Sequence, residues 1–268
     1  MVVEPFYFGT TPNRLFGVYH APQRQTADPR GVVLCYPMGQ EYLRSHRAFV
    51  QLSRRLASAG CHVLRFDYTG CGDSSGNDER GAPGRWSADL STAIDEIRSG
   101  LGINRVSLIG LRLGASLAAV AASTRDDVDG VVLWEPVING SAYLEAAIRA
   151  HEKWLAGSFA EIKPSDTGET KDEVLGFPLV PSLADDLRAV DLMALPWTAL
   201  RRVLLIEGEP SPNGRRLAGV LEDRGTQVQH ETLGHSKIWQ KEDNTLAKGL
   251  VPIRVLDRMV DWMCEADS

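Results

Sequence analysis

The chain has 268 residues, of which 43% are hydrophobic and 24% charged, and its formal net charge is −6. This composition is typical of a globular protein, and the net charge excludes a general electrostatic attraction to nucleic acids or acidic membranes. The first residues resemble no secretion signal, and no segment approaches the ~20 apolar residues that a membrane-spanning helix needs. We therefore expect a soluble cytoplasmic protein without nucleic-acid or membrane-inserted partners.

Apolar runs alternate with amphipathic segments along the chain, which is typical of strands and helices alternating over a mostly parallel sheet. The opening differs, because residues 4–9 and 15–20 form a hairpin pattern that predicts an antiparallel edge. The remaining pattern predicts strands over residues 31–36, 61–66, 106–109, 130–134, 202–207 and 227–232, with helices over residues 45–59, 87–100, 113–123, 214–223 and 253–264.

A long segment separates the predicted strands 130–134 and 202–207. It has helical and irregular character, and an insertion of this length within a compact domain is usually functional. We predict one core domain, formed by residues 1–136 and 199–268, and a helical cap insertion over residues 137–198.

The most informative motif is Gly110-Leu111-Arg112-Leu113-Gly114, which lies between a predicted strand and an alanine-rich predicted helix. Glycines two positions on either side of a central residue allow a strand to turn abruptly into a helix. Such a turn is strained and holds the central side chain at the carboxyl end of the sheet. The motif therefore predicts that Arg112 is presented at a functional edge.

The motif and its surroundings resemble the nucleophile elbow of the α/β-hydrolase fold, and within that fold the serine aminopeptidase-like hydrolases associated with the exosortase A system. Residues 45–49 and 64–74 are similar to one subgroup, and residues 110–115 and 133–137 to another in which an arginine elbow also occurs. The resemblance implies an eight-stranded, mostly parallel sheet flanked by helices, and bacterial biosynthetic gene neighbourhoods. It also implies that Arg112 stands where these enzymes carry their serine.

Arginine cannot act as the nucleophile, because its guanidinium stays protonated and has no lone pair to donate. It places a fixed cation beside the amino end of the following helix, where backbone N–H groups already favour negative charge. We expect Arg112 to bind a carboxylate, a phosphate or an oxyanion. The alternative is that Arg112 pairs with an acidic neighbour and fills the former site. Ser116, one helical turn later, is a poor replacement nucleophile because its position predicts packing.

The fold places its acid and base after the nucleophile, in the order Ser, Asp/Glu, His. His235 follows the strand 227–232 in that order and is our candidate general base or acid. Two acids compete for the third position. Glu135 follows the strand 130–134, where the haloalkane dehalogenase branch of the fold is known to place its acid, and Glu209 lies after the strand 202–207. We prefer Glu135, whose alternative role is to neutralise Arg112.

The turn after the first parallel strand matches the oxyanion loop of the family, so the backbone N–H groups of Met38 and Leu113 are candidate oxyanion donors. Gln40 and His46, which follow that turn, are candidate substrate-binding residues. A third turn contains Asp67, Gly70, Gly72 and Ser74; it resembles the structural turn of the family, and we interpret it as scaffold.

The four cysteines form no CxxC pair, and no His/Cys cluster has zinc-site spacing, so we predict neither disulfides nor a metal. Cys35 and Cys61 lie in strand-like runs that predict burial, whereas Cys71 lies in the glycine-rich turn and is the candidate for reactivity. No nucleotide-binding motif is present. We predict no cofactor.

Two hypotheses about function follow. The first is an enzyme in which His235, oriented by Glu135, moves a proton or activates water while Arg112 and the oxyanion loop hold an acyl or carboxylate-bearing small molecule. Hydrolysis by water, lyase chemistry and cyclisation all fit this arrangement. The second is an inactive pseudo-hydrolase, a binding or scaffolding protein in which Arg112, Glu135 and His235 form a closed ion-pair network. The sequence determines neither the substrate nor the oligomeric state.

Overall fold

The structure is a computed structural model that describes residues 2–26, 28–77, 82–157, 173–234, 237–240 and 251–265. His235, the predicted acid or base, lies outside the described residues. In the part of the chain that is described, no helix combines the length and the hydropathy that are needed to span a membrane.

The fold centres on an eight-stranded sheet in the order β1-β2-β4-β3-β5-β6-β9-β10. Strands β1 and β2 pair antiparallel, as do β2 and β4, and every other pair in this sheet is parallel. The predicted α/β fold with a mostly parallel eight-stranded sheet is thus confirmed. The strands are β1 (Val3–Phe8), β2 (Leu15–His20), β3 (Arg30–Cys35), β4 (Cys61–Phe66), β5 (Arg105–Leu111), β6 (Val128–Trp134), β9 (Arg202–Glu207) and β10 (Gln227–Thr232).

Helices connect the parallel strands, and they agree with the apolar periodicity except at their first turns. Helix α1 begins at Gly39 rather than near residue 45, and α2 begins at Pro83 rather than near residue 87. Each first turn begins with glycine or proline, which are turn signals in a sequence, so the prediction started these helices too late. The helices are α1 (Gly39–Ser58), α2 (Pro83–Leu101), α3 (Leu113–Ala122), α4 (Gly140–Gly157), α5 (Pro181–Arg188), α6 (Pro212–Asp223) and α7 (Ile253–Cys264).

The hydrophobic core lies on both faces of the central strands. In β3, β5, β6 and β9 nearly every residue is buried, as continuous apolar runs predict for parallel strands covered on both sides. Helix α3 is also buried almost throughout, because its alanines allow it to pack closely on the sheet. This packing fixes the carboxyl ends of the parallel strands along one edge, where ligands bind in open α/β sheets.

The segment between β6 and β9 contains α4, a small antiparallel hairpin and α5. The hairpin consists of β7 (Glu173–Val174) and β8 (Phe177–Pro178). Leu183 and Leu187 of α5 are buried and belong to the same hydrophobic cluster as the core. The division into a core and a separate cap over residues 137–198 stays a prediction, and we refer to these residues as the insertion.

Candidate active site

Arg112 occupies the sharp turn between β5 and α3, with φ 54° and ψ −123°. Its two flanking glycines are required by close backbone contacts. A Cβ on Gly110 would lie 2.4 Å from the nitrogen of Ala115, and a Cβ on Gly114 would lie 2.2 Å from the main-chain oxygen of Cys35. Both distances are far below any real Cβ contact. The strand, the turn and the helix therefore fit together only with glycine at these positions.

The guanidinium of Arg112 has defined partners. Its Nε lies 3.2 Å from a carboxylate oxygen of Glu41, and its Nη1 donates to the main-chain oxygen of Glu135 at 3.1 Å. The same group lies over the rings of Tyr143 and Trp239, at 5.6 Å and 5.4 Å from their centroids, which are cation–π distances. The cation is held in one place, between the core and the insertion.

Glu41 is the acidic partner of Arg112, and the sequence did not identify it. It lies in the first turn of α1, where a carboxylate is favoured by the helix dipole. Its second oxygen accepts a hydrogen bond from the hydroxyl of Tyr143 at 3.1 Å. Burial raises the pKa of Glu41 despite the neighbouring guanidinium of Arg112. The arginine and its carboxylate thus form a partly desolvated pair tied to the insertion.

Glu135 also has a left-handed backbone, with φ 48°, at the end of β6. Its carboxylate accepts a hydrogen bond from the backbone N–H of Gly208 at 2.7 Å, at the carboxyl end of the neighbouring β9. Among the described residues, the carboxylate that pairs with Arg112 is that of Glu41 rather than that of Glu135. Glu135 therefore lies at the correct edge of the sheet, with its carboxylate directed to β9.

Met38 and Leu113, the predicted oxyanion donors, line one common cavity of about 200 Å³. The first backbone N–H groups of α3 have no acceptor within the helix, so that of Leu113 is available by geometry. Phe177 of the insertion also lines the cavity, and a Cβ on Gly39 would contact its ring. The structure thus brings the two candidate donors together beside Arg112; their role as donors stays a prediction.

Gln40 and His46 do not line this cavity. The side-chain nitrogen of Gln40 donates to the main-chain oxygen of Leu175 at 3.2 Å, so Gln40 connects α1 to the tip of the hairpin. His46 is exposed and its ring stacks on that of Tyr36 at a centroid distance of 5.9 Å. Ser116 is buried and donates to the main-chain oxygen of Val137 at 2.7 Å. Its hydroxyl is used in packing, as its position on the helix predicts.

The turn after β4 is organised by Asp67. Its carboxylate accepts hydrogen bonds from the hydroxyl of Tyr42 at 2.9 Å and from the backbone N–H of Asp73 at 3.1 Å. The hydroxyl of Ser74 donates to the main-chain oxygen of Asp67 and accepts from the backbone N–H of Phe16. These bonds tie the turn to β2 and to α1, which agrees with a scaffolding role. Cys71 and Asp67 also line the cavity.

A second buried acid lies at the end of β9. Glu207 bonds to Nε2 of His230 at 2.8 Å and accepts from the hydroxyl of Ser211 at 2.5 Å. Glu209, the alternative acid from the sequence, is exposed. The sequence did not identify Glu207, because a glutamate at the end of a strand gives no periodic signal. Glu207 bonds to His230 of β10 and to Ser211, the N-cap residue of α6, so its role is to connect these elements at that end of the sheet.

Comparisons with known proteins agree with this geometry. The family model described as serine aminopeptidase, S33 matches residues 25–175, which is 151 of the 268 residues and more than half of the chain. Human protein ABHD12B is 28% identical over 156 residues, covering 50% of this chain and 41% of that protein. The human mitochondrial palmitoyl-protein thioesterase ABHD10 is 39% identical over 70 residues, covering 26% of this chain and 22% of that protein. The chain thus spans less than half the length of these relatives.

Solved structures resemble the whole chain. Est1E from Butyrivibrio proteoclasticus, solved with ferulic acid, has a TM-score of 0.66 at 16% identity, with 97% of this chain and 98% of that chain covered. Proline iminopeptidase from Mycobacterium smegmatis has a TM-score of 0.66 at 15% identity, with 98% and 99% covered. Mouse ABHD10 has a TM-score of 0.58 at 18% identity, with 99% and 100% covered. At these identities the structures establish the fold alone. Together with the family match they show that the chain is an α/β-hydrolase that belongs to the serine aminopeptidase S33 family.

Proposed function

We propose that this protein is a hydrolase-like enzyme that acts on an acyl compound or carboxylate-bearing small molecule without a serine nucleophile. One observation carries the proposal: the elbow residue is Arg112, and the candidate oxyanion donors Met38 and Leu113, the latter its neighbour in sequence, line one cavity. The resemblance of residues 110–115 to a subgroup with an arginine elbow supports this assignment. A site that keeps its backbone donors can stabilise an oxyanion without the serine side chain.

Water is the nucleophile in this proposal. His235 accepts a proton from water as the oxygen of water bonds to the acyl carbonyl carbon. The carbonyl oxygen becomes an oxyanion held by the N–H groups of Met38 and Leu113. When the bond to the leaving group breaks, the leaving group takes the proton from His235 and the acid product remains. Glu135 orients the imidazole. The same base would serve a lyase reaction or a cyclisation.

Arg112 anchors the negative charge of the acid product or of a substrate carboxylate. Two of its contacts already use Nε and one hydrogen of Nη1. Among the described residues, Nη2 has no hydrogen-bond partner, so an anion can be bound without displacing Glu41. The pair with Glu41 keeps the guanidinium in position between the rings of Tyr143 and Trp239 before the anion arrives.

The test is turnover of 4-nitrophenyl butanoate and of a butanoyl thioester by the wild-type protein and by His235→Ala. We expect a loss of at least 100-fold in kcat/KM, the usual contribution of a general base. His62→Gln is the matched control, because His62 lies on β4 and bonds to the hydroxyl of Tyr19. Full turnover by His235→Ala would contradict the proposal.

A fluorophosphonate probe tests the missing nucleophile separately. We expect no labelling, because this reagent reacts with activated serines and the elbow has none. Labelled protein would show that another serine is activated and would overturn the water mechanism. A protein that binds carboxylates but turns over neither substrate would instead be the binding protein of the second hypothesis.

A further inference from the structure

Six of the eighteen described residues that line the cavity beside the elbow carry aromatic rings. These rings come from the strand ends, from helices α1 and α2, and from the hairpin of the insertion: Tyr36, Tyr42, Phe66, Tyr68, Trp86 and Phe177. Because the rings come from separate elements, the periodicity of a single helix or strand does not account for their grouping. An apolar ligand that enters this space meets ring faces and edges on several sides.

The polar atoms of three of these rings have partners within the protein. The hydroxyl of Tyr36 accepts from Arg65 at 3.1 Å, and the hydroxyl of Tyr42 donates to Asp67 at 2.9 Å. The indole N–H of Trp86 donates to a main-chain oxygen at 3.0 Å. The hydroxyl of Tyr68 is buried and makes no hydrogen bond among the described residues, and the rings of Phe66 and Phe177 carry no polar atom. A ligand with several polar groups at this end would lose bonds to water and find few partners in these rings.

The cavity is also small. Its volume of about 200 Å³ corresponds to roughly seven molecules of liquid water, below the range of drug-sized pockets. Leu113 and Leu117 are both in its wall, and these residues are one turn of α3 apart, a rise of about 6 Å. Trp86, Leu117 and Leu183 also line it and are each less than 5% exposed, so this part of the wall is packed into the core.

Asp67 makes one wall unfavourable for an anion. Both oxygens of its carboxylate already accept hydrogen bonds from the protein. A second carboxylate at the distal end of a ligand would therefore meet an acidic group and find no cation among the described residues that line the cavity. The acyl group that fits must be uncharged away from its carbonyl.

From this geometry we propose that the cavity selects a compact acyl group with a single aromatic ring, such as phenylacetyl or 3-phenylpropanoyl. A ring with one or two linking carbons matches the volume, and aromatic pairs gain attraction beyond that of buried area. A long alkyl chain exceeds the space that Trp86, Leu117 and Leu183 leave. The inference rests on the proposed function for the identity of the bound group as an acyl group.

Binding of carboxylate products, measured by calorimetry, tests the inference without requiring turnover. The probes are 3-phenylpropanoate, 3-cyclohexylpropanoate and dodecanoate. We expect 3-phenylpropanoate to bind about 2-fold to 10-fold more tightly than the cyclohexyl compound, the range that aromatic pairing supplies. Dodecanoate should bind at least 10-fold more weakly than 3-phenylpropanoate. Equal or tighter binding of dodecanoate would overturn the size limit, and equal binding of the two ring compounds would overturn the aromatic preference.

Two substitutions on helix α5 locate the binding site. Leu183→Phe extends into the cavity and should weaken binding of 3-phenylpropanoate at least 10-fold. Leu187→Phe is the matched control, since Leu187 is buried one turn later and does not line the cavity. Its folded form should bind as the wild type does. If Leu183→Phe does not fold, Leu117→Phe fills the same space from α3. Unchanged binding in a folded cavity variant would contradict the proposed location.

The His235→Ala protein separates this inference from the proposed function. It should keep the full order of affinities for the three carboxylates, because the rings and leucines that are proposed to set that order are unchanged in this variant. If His235→Ala also keeps full turnover, the catalytic proposal fails while the binding inference stands. If turnover is lost as expected but the order of affinities differs, the binding inference alone fails.

Discussion

Arg112 and Arg202 lie at opposite edges of the sheet and have nearly the same polar partners. Arg112 follows β5 at the carboxyl edge, and Arg202 begins β9 at the amino edge. The Nε of Arg112 donates to Glu41 at 3.2 Å, whereas that of Arg202 lies 3.4 Å from Asp129 as an ion pair and makes no hydrogen bond within the described part of the chain. In each case Nη1 donates to a main-chain oxygen at 3.1 Å. In both sites a partly buried arginine thus lies between a carboxylate and a main-chain oxygen.

Both guanidinium groups also lie over aromatic rings. Arg202 lies 3.9 Å from the centroid of Trp262, and Arg112 lies farther from the rings of Tyr143 and Trp239. The guanidinium of Arg202 is therefore packed more closely. Its side chain is 13% exposed, compared with 21% for Arg112.

The difference between the two arginines is in the backbone. Arg202 belongs to a regular parallel strand, whereas Arg112 has a positive φ of 54°, a conformation that costs a non-glycine residue about 1 to 3 kcal/mol. Arg202 shows that this fold can neutralise and pack an arginine without such strain. The strain at Arg112 therefore has another cause. It comes from the turn that places residue 112 beside the cavity, which supports a functional role for that position.

The largest expected effect comes from the glycines next to each arginine. Gly114→Ala would place its Cβ against main-chain oxygens of residues 35 and 36, which cannot move independently of the sheet. Gly130→Ala would instead contact side-chain atoms of Arg202 and Trp262 at 2.8 Å or more. We expect Gly114→Ala to lower the free energy of unfolding by more than about 3 kcal/mol and Gly130→Ala by about 1 to 3 kcal/mol. Urea denaturation measures both.

Similar losses in the two variants would mean that the elbow can relax as easily as the amino edge of the sheet. In that case the positive φ at Arg112 would not be imposed by close packing of the turn.

The second effect separates function from packing. Arg112→Met should weaken the affinity for butanoate, the acid product, by about 100-fold, equivalent to about 2.7 kcal/mol, because the carboxylate loses its anchor. Arg202→Met should lower the free energy of unfolding by about 1 to 3 kcal/mol, because Asp129 loses a buried partner. Its affinity for butanoate per folded molecule should remain that of the wild type. Equal losses of affinity in the two variants would remove the functional distinction between these arginines.

A third arginine, Arg65, differs from the first two because its partner is a histidine, His20, rather than a carboxylate. Arg65 donates from Nε to Nε2 of His20 at 3.0 Å, and burial, followed by the charges of Arg65 and Arg54, lowers the pKa of His20 to about 4. The unfolded chain therefore binds more protons between pH 6.5 and 4, so stability is full above pH 6.5 and falls as the pH decreases towards 4. We expect a loss of about 3 kcal/mol across this window.

His20→Gln keeps an acceptor for Arg65 and removes the titrating group. Urea denaturation at several pH values between 4 and 7 should show a smaller slope for His20→Gln than for the wild type. Identical slopes would show that His20 does not titrate with a lowered pKa.

The smallest expected effect concerns Glu41. Here the free energy of unfolding falls as the pH rises, which is opposite to the effect of His20. Its pKa is raised in the folded protein by burial, so its contribution to stability is fully present at pH values below 4.5 and is lost as the pH rises through the raised pKa. Glu41→Gln should remove this decline. At pH 7 the variant should differ from the wild type by about 1 kcal/mol or less, because loss of the ion pair is offset by relief of desolvation.

The corresponding change beside Arg202 is Asp129→Asn. Asp129 pairs with Arg105 as well as Arg202, so its loss should cost more, about 1 to 3 kcal/mol. A loss above 3 kcal/mol for Glu41→Gln would show that the pair at the elbow is strongly stabilising. The comparison would then favour a structural role for Arg112.

Most of the fold could be predicted from the sequence, because it depends on local signals. Strand-like runs, apolar in the centre of the sheet, placed every strand of the large sheet, and Gly110 and Gly114 predicted the sharp turn at residue 112. The first turns of α1 and α2 were missed, since each begins with glycine or proline, which indicate a turn. The small hairpin within the insertion was missed as well, because two-residue strands give no alternating pattern.

The candidate site was predicted only in part. The order of Arg112, Glu135 and His235 along the chain, and the turn at Met38, follow from motif and position. The partner of Arg112 could not be predicted, since Glu41 is 71 residues away in sequence and Tyr143 belongs to the insertion. The roles of Gln40 and of Glu207 were likewise invisible, because each bonds to an element distant in the chain.

The sequence by itself determined the fold, the elbow and the exclusion of an acyl-enzyme at residue 112, because strand periodicity, the steric need for glycine and the chemistry of a guanidinium are local properties. Only the tertiary structure decided that Glu41 pairs with Arg112, that the carboxylate of Glu135 accepts from Gly208, and that six aromatic rings line a small cavity next to Leu113 of the elbow. These features depend on which distant residues the sheet and the insertion bring into contact, and no local pattern encodes such contacts.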